Sequence, residues 1–180
     1  NAVDLERIRP RAARNTPGPV RLVFVGQLIE RKGLEVLLDA VREIGHELPE
    51  WELLIAGEGA DRAKLEHLAK QADDRSRIRF LGFQQEVSGL LANSDIFVFP
   101  SKSEGLSVAL MEAMSAGLAC IATAISGNTE MLSNTHDQHV RLEPHIYRLV
   151  YAGVLISPGD SEGLASAIRC RRSRTNCRGS

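Results

Sequence analysis

Short runs of continuous apolar residues alternate along the chain with longer stretches in which apolar residues recur every three or four positions. The short runs are rich in Val, Ile, Leu and Phe, which predicts strands that are buried on both faces of a sheet. Six strands are predicted in this way, at residues 20–26, 51–57, 77–83, 95–101, 118–124 and 153–159. Parallel strands cannot be joined by tight hairpins, so we expect helices between them.

The periodic stretches predict amphipathic helices. In residues 32–48 the apolar positions form one stripe, made of Leu34, Leu37, Leu38, Val41, Ile44 and Leu48. Residues 60–72 and 86–94 predict shorter helices, and two more are expected to begin near Gly105 and Asp160. Strands that alternate with helices are typical of βαβ units, so the sequence predicts an α/β fold with a Rossmann-like, doubly wound parallel sheet of about six strands.

This pattern places one folded domain at residues 20–168. Residues 1–19 carry three prolines and several arginines without apolar periodicity, and they are predicted to be a linker that leads into the domain. Residues 169–180 carry five arginines and are predicted to be a basic, disordered tail. A cationic tail would also suit peripheral contact with lipid or phosphate.

The chain as a whole is nearly neutral, with 22 Lys and Arg against 23 Asp and Glu. Because a general nucleic-acid-binding protein needs a basic surface, no nucleic-acid partner is expected. The three cysteines, Cys120, Cys170 and Cys177, lack the spacing of a metal site, and their odd number argues against a disulfide framework. With no signal peptide or transmembrane segment in the pattern, we expect a reducing, cytoplasmic location.

The turns that follow the predicted strands are glycine-rich or polar. Ligands of doubly wound sheets bind beyond the carboxyl ends of the strands, so these turns are the segments in which a site is expected. They read GQLIERKG, GEGADR, GFQQEV, PSKSEGLS and ATAISGNTE.

Two glutamates flank the start of the helix that follows the fourth strand. Glu104 belongs to the turn, and Glu112 lies one to two helical turns further on, within an apolar run. Between them, the backbone N–H groups of Gly105, Leu106 and Ser107 are expected to form a helix N-terminus, which favours phosphate. The first carboxylate, the helix start and the second carboxylate would offer a hydrogen-bond acceptor, an anion site and a second acceptor. This order matches that of a sugar, a diphosphate and a ribose. For an isolated pair of glutamates, a structural ion pair with Arg or Lys is the ordinary interpretation.

The glutamates do not stand alone. The segment FVFPSKSEGLSVALMEAMSAGLACIAT resembles the signature region of the retaining glycosyltransferases of family four, which have the GT-B fold. GQLIERKGLEVLLDAV is similar to the glycine-basic-lysine loop of that family, and IAGEGADRAKLEHLA, RIRFLGF and GVLISPGD resemble its successive strand-turn blocks in the same order. NAVDLERIRP resembles the linker between the two halves of such enzymes. The resemblance covers about residues 1–132 and 153–168.

The resemblance implies a role for each matching residue. In the family, the first glutamate of the E-x7-E pair contacts the transferred sugar and the second holds the nucleotide ribose, which corresponds to Glu104 and Glu112 here. The backbone from Gly105 to Ser107 would hold the diphosphate. Lys32 matches the phosphate-binding lysine, a point charge suited to a diphosphate. Outside this context, Lys32 would be read as an exposed lysine at the start of a helix.

The remaining residues of the predicted nucleotide site come from three other turns. Gly26 and Gly57 would border the nucleotide, while Phe83 and Gln84 correspond to the loop that reads the base through its backbone. Gln27 departs from the family, which usually has an arginine there that is aimed at the phosphates. Glutamine donates hydrogen bonds but brings no charge, so this change would affect donor affinity.

The reaction that the resemblance implies is the transfer of a sugar from a nucleotide-diphosphate donor to a hydroxyl acceptor, with retention of the anomeric configuration. No obligatory cofactor or divalent metal is expected, because no cluster of carboxylates is visible. GT-B enzymes also have an N-terminal acceptor domain, and a chain of this size is expected to be the donor half alone. The isolated chain is therefore expected to bind a donor and to transfer little or no sugar.

Residues 133–152 are longer than the turn that the family usually has at this place, and they predict a surface insertion. The segment HIYRLVYA within it is expected to form a short helix or an amphipathic stretch. His136, His139 and His145 lie in the insertion, but no fourth ligand stands near them, so a zinc site is not predicted.

Three other functions stay open from the sequence. A nucleotide-sugar epimerase or a phosphorylase of related architecture would share the fold, although no pyridoxal-lysine signature is found. A nucleotide-binding or interaction module without catalysis is compatible with Gln27 and with the basic tail. A dinucleotide oxidoreductase fits least, because the first strand ends in GQLIERKG and not in GxGxxG.

Overall fold

A single sheet of seven strands forms the centre of the molecule in the computed structural model, which describes residues 18–45, 47, 50–73, 76–133 and 142–176. The strands are β1 (Val20–Val25), β2 (Trp51–Ala56), β3 (Ile78–Gly82), β4 (Ile96–Phe99), β5 (Ala119–Thr123), β6 (Tyr147–Val150) and β7 (Gly153–Ile156). Their order in the sheet is β3-β2-β1-β4-β5-β7-β6. All neighbours are parallel except β6, which runs antiparallel to β7.

Helices connect the parallel strands, as the alternating pattern predicts. They are α1 (Leu34–Ile44), α2 (Arg62–Ala72), α3 (Ser88–Ala92), α4 (Val108–Ser115), α5 (Ser126–Leu132) and α6 (Ser161–Asn176). A short 3-10 turn, Glu30–Lys32, precedes α1. The predicted α/β fold is confirmed, with one strand more than expected.

The core explains why the strands read as continuous apolar runs. All four residues of β4 are buried, and the central residues of β1 are fully buried as well, because helices cover both faces of the sheet. The predicted stripe of α1 is buried from Leu34 to Ile44, and its last predicted member, Leu48, lies outside the described residues. Cys120 lies in the core on β5, where burial raises the pKa of its thiol to about 12.

The helix after β4 begins later than expected. Its first residue is Val108, and Ser107 is extended and caps it, with the Ser107 hydroxyl accepting a hydrogen bond from the amide of Leu110 at 3.3 Å. Serine is a favoured capping residue, because its oxygen satisfies one of the amides that a helix start leaves without a partner. The prediction that the N-terminus lies at Gly105 is therefore wrong by three residues.

The end of the predicted insertion forms a strand and not a helix. Tyr147–Val150 is β6, which pairs with β7 from Tyr147↔Ile156 to Val150↔Gly153. The four residues include Tyr147 and Val150, types that favour strands, and β7 offers them an open edge. His136 and His139 lie outside the described residues.

The last helix extends beyond residue 168, where the domain was predicted to end. Arg169 of α6 donates hydrogen bonds to Glu43 of α1 at 3.1 Å and to Glu47, which follows α1, at 2.7 Å, so α6 has a packing partner on α1. Residues 169–176 are consequently helical and not a disordered tail. Residues 177–180 and the predicted linker up to residue 17 lie outside the described residues.

Gly33 is expected to be essential for the turn that positions α1. Its φ is +69°, and a Cβ there would overlap the carbonyl oxygen of Pro100. We expect Gly33→Ala to lower the free energy of unfolding by about 2 kcal/mol or more, because both the left-handed backbone and the contact disfavour a side chain. Chemical denaturation measures this effect.

Gly89→Ala is the matched control for that substitution. Gly89 lies in α3 with open space at its Cβ position, so alanine should stabilise the helix by about 0.5–1 kcal/mol. Equal effects of the two substitutions would contradict the role assigned to Gly33.

Candidate functional site

The candidate site lies where the strand order reverses. β1 pairs with both β2 and β4, and the chain leaves β1 and β4 in opposite directions along the sheet. Doubly wound sheets bind ligands at such a point, in the crevice beyond the carboxyl ends of the strands. The turn that follows β1 and the turn that follows β4 therefore face each other here.

Lys32 and Glu104 meet across this crevice. The Lys32 ammonium lies 2.5 Å from Oε1 of Glu104, although the two residues are 72 positions apart in the chain. The Lys32 and Glu104 side chains are only 12% and 9% exposed, and the ammonium lies 5.1 Å from the centre of the Phe99 ring. Lys32 is consequently a largely buried partner of Glu104, and the interpretation as an exposed lysine at a helix start is wrong.

Two hydroxyl residues that the sequence analysis did not single out support this pair. Ser101 follows β4 and donates from its hydroxyl to the same oxygen of Glu104 at 2.9 Å. Thr123, the last residue of β5, donates to the Ser101 carbonyl at 2.5 Å. In the sequence, Ser101 and Thr123 each stand at or just after the end of a predicted strand. This position suggests a contact between them only once β4 and β5 are known to be neighbours.

Glu112 is half-buried in α4, and its carboxylate has no ion pair or hydrogen bond among the described residues. Burial raises the pKa of this carboxyl, and the negative charge of Glu86 raises it further. Within the described part of the chain, no Arg or Lys forms the structural ion pair with Glu112 that was the alternative interpretation. Such a carboxylate is costly unless a ligand with donor groups meets it.

The start of α4 offers backbone donors between the two glutamates. Gly105 and Leu106 are exposed, Leu106 by 67%, and Ser107 is buried as the cap. The amides of Val108 and Ala109 open the helix without an intrahelical acceptor. These donors and the positive end of the helix favour an anion next to Glu104.

The turns after β1 and β2 pack backbone against backbone. The amide of Gly57 donates to the carbonyl of Gly82 at 2.8 Å, and a Cβ at Gly57 would overlap the carbonyl oxygen of Gly26. This contact explains the glycine at position 57, because no side chain fits between the two turns there. Gln27 is exposed beside it, and the guanidinium of Arg31 donates to the Ser103 carbonyl at 3.1 Å.

The turn after β3 presents an aromatic side chain. Phe83 is 76% exposed, and Gln84 is fastened to the turn by a hydrogen bond from its side-chain amide to the Leu81 carbonyl at 2.9 Å. Glu86 follows in the same turn, and its negative charge acts on Glu112 of α4.

No group of three or more His, Cys, Asp or Glu among the described residues could hold a metal ion. None of the helices described is both long enough and apolar enough to span a membrane.

Comparison with known proteins gives a consistent picture. The family model described as glycosyl transferases group 1 matches residues 19–171. LpsD, a lipopolysaccharide core biosynthesis glycosyltransferase of Rhizobium meliloti (strain 1021), is 31% identical over 88% of the chain. The chain spans less than half the length of the curated relatives it matches, and 41% in the case of LpsD.

Solved structures share the fold. The C-terminal domain of the glycosyl transferase group 1 family protein LpcC from Francisella tularensis has a TM-score of 0.73 and 25% identity, and the match covers 96% of this chain and 88% of that domain. Anabaena HepE, solved in complex with UDP and glucose, has a TM-score of 0.77 and 20% identity over 98% of this chain and 47% of its own. This likeness matches one Rossmann-like half of a GT-B protein. Since the family model matches most of the chain, the chain belongs to the glycosyl transferases group 1.

Proposed function

We propose that this chain is the donor-binding half of a retaining glycosyltransferase of family four, which transfers a sugar from a nucleotide diphosphate to a hydroxyl acceptor. The observation that carries the proposal is the largely buried Lys32–Glu104 pair at the point where the strand order reverses, together with the half-buried Glu112 on the helix that follows Glu104. A cation, a helix start and two carboxylates in this order suit the phosphates, the sugar and the ribose of one donor molecule.

Lys32 and the start of α4 would hold the diphosphate. The ammonium is fixed by Glu104 and Phe99, so little further side-chain freedom is lost when a phosphate binds. The backbone from Gly105 to Ser107 and the first amides of α4 add neutral donors. During transfer these groups would stabilise the negative charge that develops on the leaving diphosphate, and no divalent metal is required for that purpose.

Glu104 would orient the transferred sugar. Both of its described donors, Lys32 and Ser101, bind Oε1, which leaves Oε2 as the oxygen available to a sugar hydroxyl. A carboxylate that is held on one oxygen is preorganised for the ligand on the other. Retention of configuration is proposed from the resemblance of the E-x7-E segment to the retaining enzymes.

Glu112 would accept hydrogen bonds from the ribose hydroxyls, which supply the donors that the folded chain does not. Gly26 and Gly57 would lie under the nucleotide, and Phe83 and Gln84 would border the base. Gln27 would contribute a neutral contact to the phosphates, which predicts a weaker donor affinity than an arginine at this position would give.

The complete enzyme would also need an acceptor-binding N-terminal domain and would work in the cytoplasm. The lengths of the relatives support the first point, since they are more than twice as long as the match. The Lys32–Glu104 pair favours transfer over a non-catalytic module, because a module that only binds nucleotide needs no carboxylate at the proposed position of the sugar. An epimerase of GT-B architecture is distinguished by its product.

Isothermal titration calorimetry tests the proposal with UDP, GDP, ADP, their sugar conjugates, the nucleoside monophosphates and NAD. We expect saturable binding of one diphosphate and its conjugate, and affinity about tenfold weaker for the monophosphate, because the second phosphate meets Lys32. Transfer assays with the isolated chain should show little or no sugar transfer. A folded chain that binds no nucleotide, or that prefers NAD, would overturn the proposal.

A further inference from the structure

A chain of buried hydrogen bonds runs from α5 to the Lys32–Glu104 pair. Asn128 of α5 is 0% exposed, and its side-chain amide donates to the carbonyl of Thr123 at 3.1 Å and to the Thr123 hydroxyl at 3.2 Å. The Thr123 hydroxyl has one proton, which it donates to the Ser101 carbonyl at 2.5 Å. Because the Asn128 amide donates to the Thr123 oxygen, the Thr123 proton is directed towards the Ser101 carbonyl.

The next bond reaches the site itself. The Ser101 backbone is held by Thr123, and the Ser101 hydroxyl donates to Oε1 of Glu104 at 2.9 Å. Every step from Asn128 to Glu104 is therefore a direct contact, and Asn128, Thr123 and Ser101 are all fully buried. In such surroundings a hydrogen bond has a defined geometry, because water does not compete for its partners.

A second contact holds the same turn. A Cβ at Gly127 would overlap the carbonyl oxygen of Gly105, so the start of α5 lies directly against the backbone that follows Glu104. The β4–α4 turn is thereby held at Ser101 by a hydrogen bond and at Gly105 by close packing.

Asn128 has an unfavourable feature that a side chain with only a packing role would not need. Asn128 keeps its side-chain oxygen buried without a hydrogen-bond partner among the described residues. A buried polar atom without a partner is unfavourable, and an apolar side chain of similar size would avoid the cost. Amide donors at this position are useful because they orient Thr123.

We propose that Thr123, oriented by Asn128, is a positioning residue that holds Ser101 and thereby aims the free oxygen of Glu104 at the transferred sugar. The proposal rests on the proposed function for the identity of the ligand. Thr123 touches neither the donor nor the reacting atoms. The chain of bonds ends at Oε1 of Glu104, which also binds Lys32, so the largest effect is expected on the sugar that Glu104 orients. Among the described residues, no bond of this chain reaches Glu112.

The test compares Thr123→Val, which has the same shape without the hydroxyl, with Thr123→Ser, which keeps it. Calorimetry measures the affinity ratio between each diphosphate and its sugar conjugate, with UDP and UDP-glucose, GDP and GDP-mannose, and ADP and ADP-glucose. We expect Thr123→Val to weaken the conjugate about five- to tenfold relative to the diphosphate, as the loss of one buried hydrogen bond would, and Thr123→Ser to restore the ratio. An unchanged ratio in Thr123→Val overturns the proposal.

Thr129→Val is the matched control. Thr129 is a neighbouring threonine on α5, 1% exposed, and its hydroxyl has no hydrogen-bond partner among the described residues. The same chemical change there should leave the affinity ratio as it is. If Thr129→Val lowers the ratio as much as Thr123→Val does, the effect is one of general packing and the proposal fails.

A measurement without ligand separates this proposal from the proposed function. The 13C shift of the Glu104 carboxyl and the amide shifts of residues 101–105 should change in Thr123→Val and return in Thr123→Ser. If wild-type chain binds none of the conjugates, the proposed function fails and these shifts still decide whether Thr123 positions Glu104. Should Thr123→Val not fold, Ser101→Ala removes only the last bond to Glu104, and unchanged shifts there overturn the proposal.

Discussion

Replacing Lys32 by methionine is expected to weaken the binding of a nucleoside diphosphate about 100-fold, because the substitution removes the charged partner of a buried pair. Methionine keeps the length of the side chain and its contact with Phe99. It also leaves the carboxylate of Glu104, which is 9% exposed, without its cation and beside the phosphates. Calorimetry with the preferred diphosphate measures the loss.

Two further variants separate binding from stability. The double variant Lys32→Met, Glu104→Gln removes the lone buried charge, so the free energy of unfolding should recover while the diphosphate affinity stays low. Lys64→Met is the control, because Lys64 forms an exposed ion pair with Glu35 on the surface of α2 and α1. A Lys32→Met chain with unchanged affinity, at the same stability, would remove Lys32 from the phosphate site.

Glu112→Gln is expected to lower the affinity for the nucleotide by about ten- to 150-fold, since hydrogen bonds to a charged acceptor contribute about 1.5–3 kcal/mol. The same change should stabilise the chain without ligand at neutral pH. Burial and the charge of Glu86 both disfavour the ionised carboxylate, and glutamine is neutral. Glu112 would then favour nucleotide binding and at the same time lower the stability of the free chain.

The pH dependence of stability follows from the raised pKa of Glu112. The folded chain holds a proton on this carboxyl at pH values where the unfolded chain, with the ordinary value of 4.5, has lost it. Between these two pKa values the folded chain binds more protons, so this group's contribution to stability falls as the pH rises. Thermal melts should therefore show Glu112→Gln more stable than wild type at neutral pH, with a difference that closes below about pH 4.5.

Glu66→Gln is the matched control for both measurements. Glu66 is also a helical glutamate, but its carboxylate is 41% exposed and pairs with Arg62. Its replacement should leave nucleotide affinity unchanged and should not stabilise the chain. If Glu112→Gln and Glu66→Gln behave alike in the calorimeter, the ribose role of Glu112 is wrong.

The sequence by itself determined the fold class and the turns in which the site lies. Runs such as residues 20–26 and 95–101 could be read as strands buried on both sides, because a strand covered by helices needs apolar residues at every position. The stripe of α1 was equally readable, since helical periodicity depends only on local spacing. The resemblance of whole segments then assigned roles to Glu104, Glu112 and Lys32, which stay proposals.

Local pattern misplaced the elements whose form depends on a distant partner. Residues 147–150 became a strand because β7 has an open edge for them, and α6 continued past residue 168 because Arg169 meets α1. In both cases the local signal was weak, and a long-range contact decided between the alternatives. The start of α4 moved to Val108 for a local reason, because Ser107 is an effective cap.

Only the tertiary structure decided which side chains meet. Strand order brings β4 between β1 and β5, and this order alone joins Lys32 to Glu104 and Thr123 to Ser101. It also leaves Glu112 without a cation in the described part of the chain, where the sequence allowed either an ion pair or a ligand. Periodicity records which face of an element is buried, whereas the neighbours of a charged group follow from long-range packing of the sheet, which local spacing does not encode.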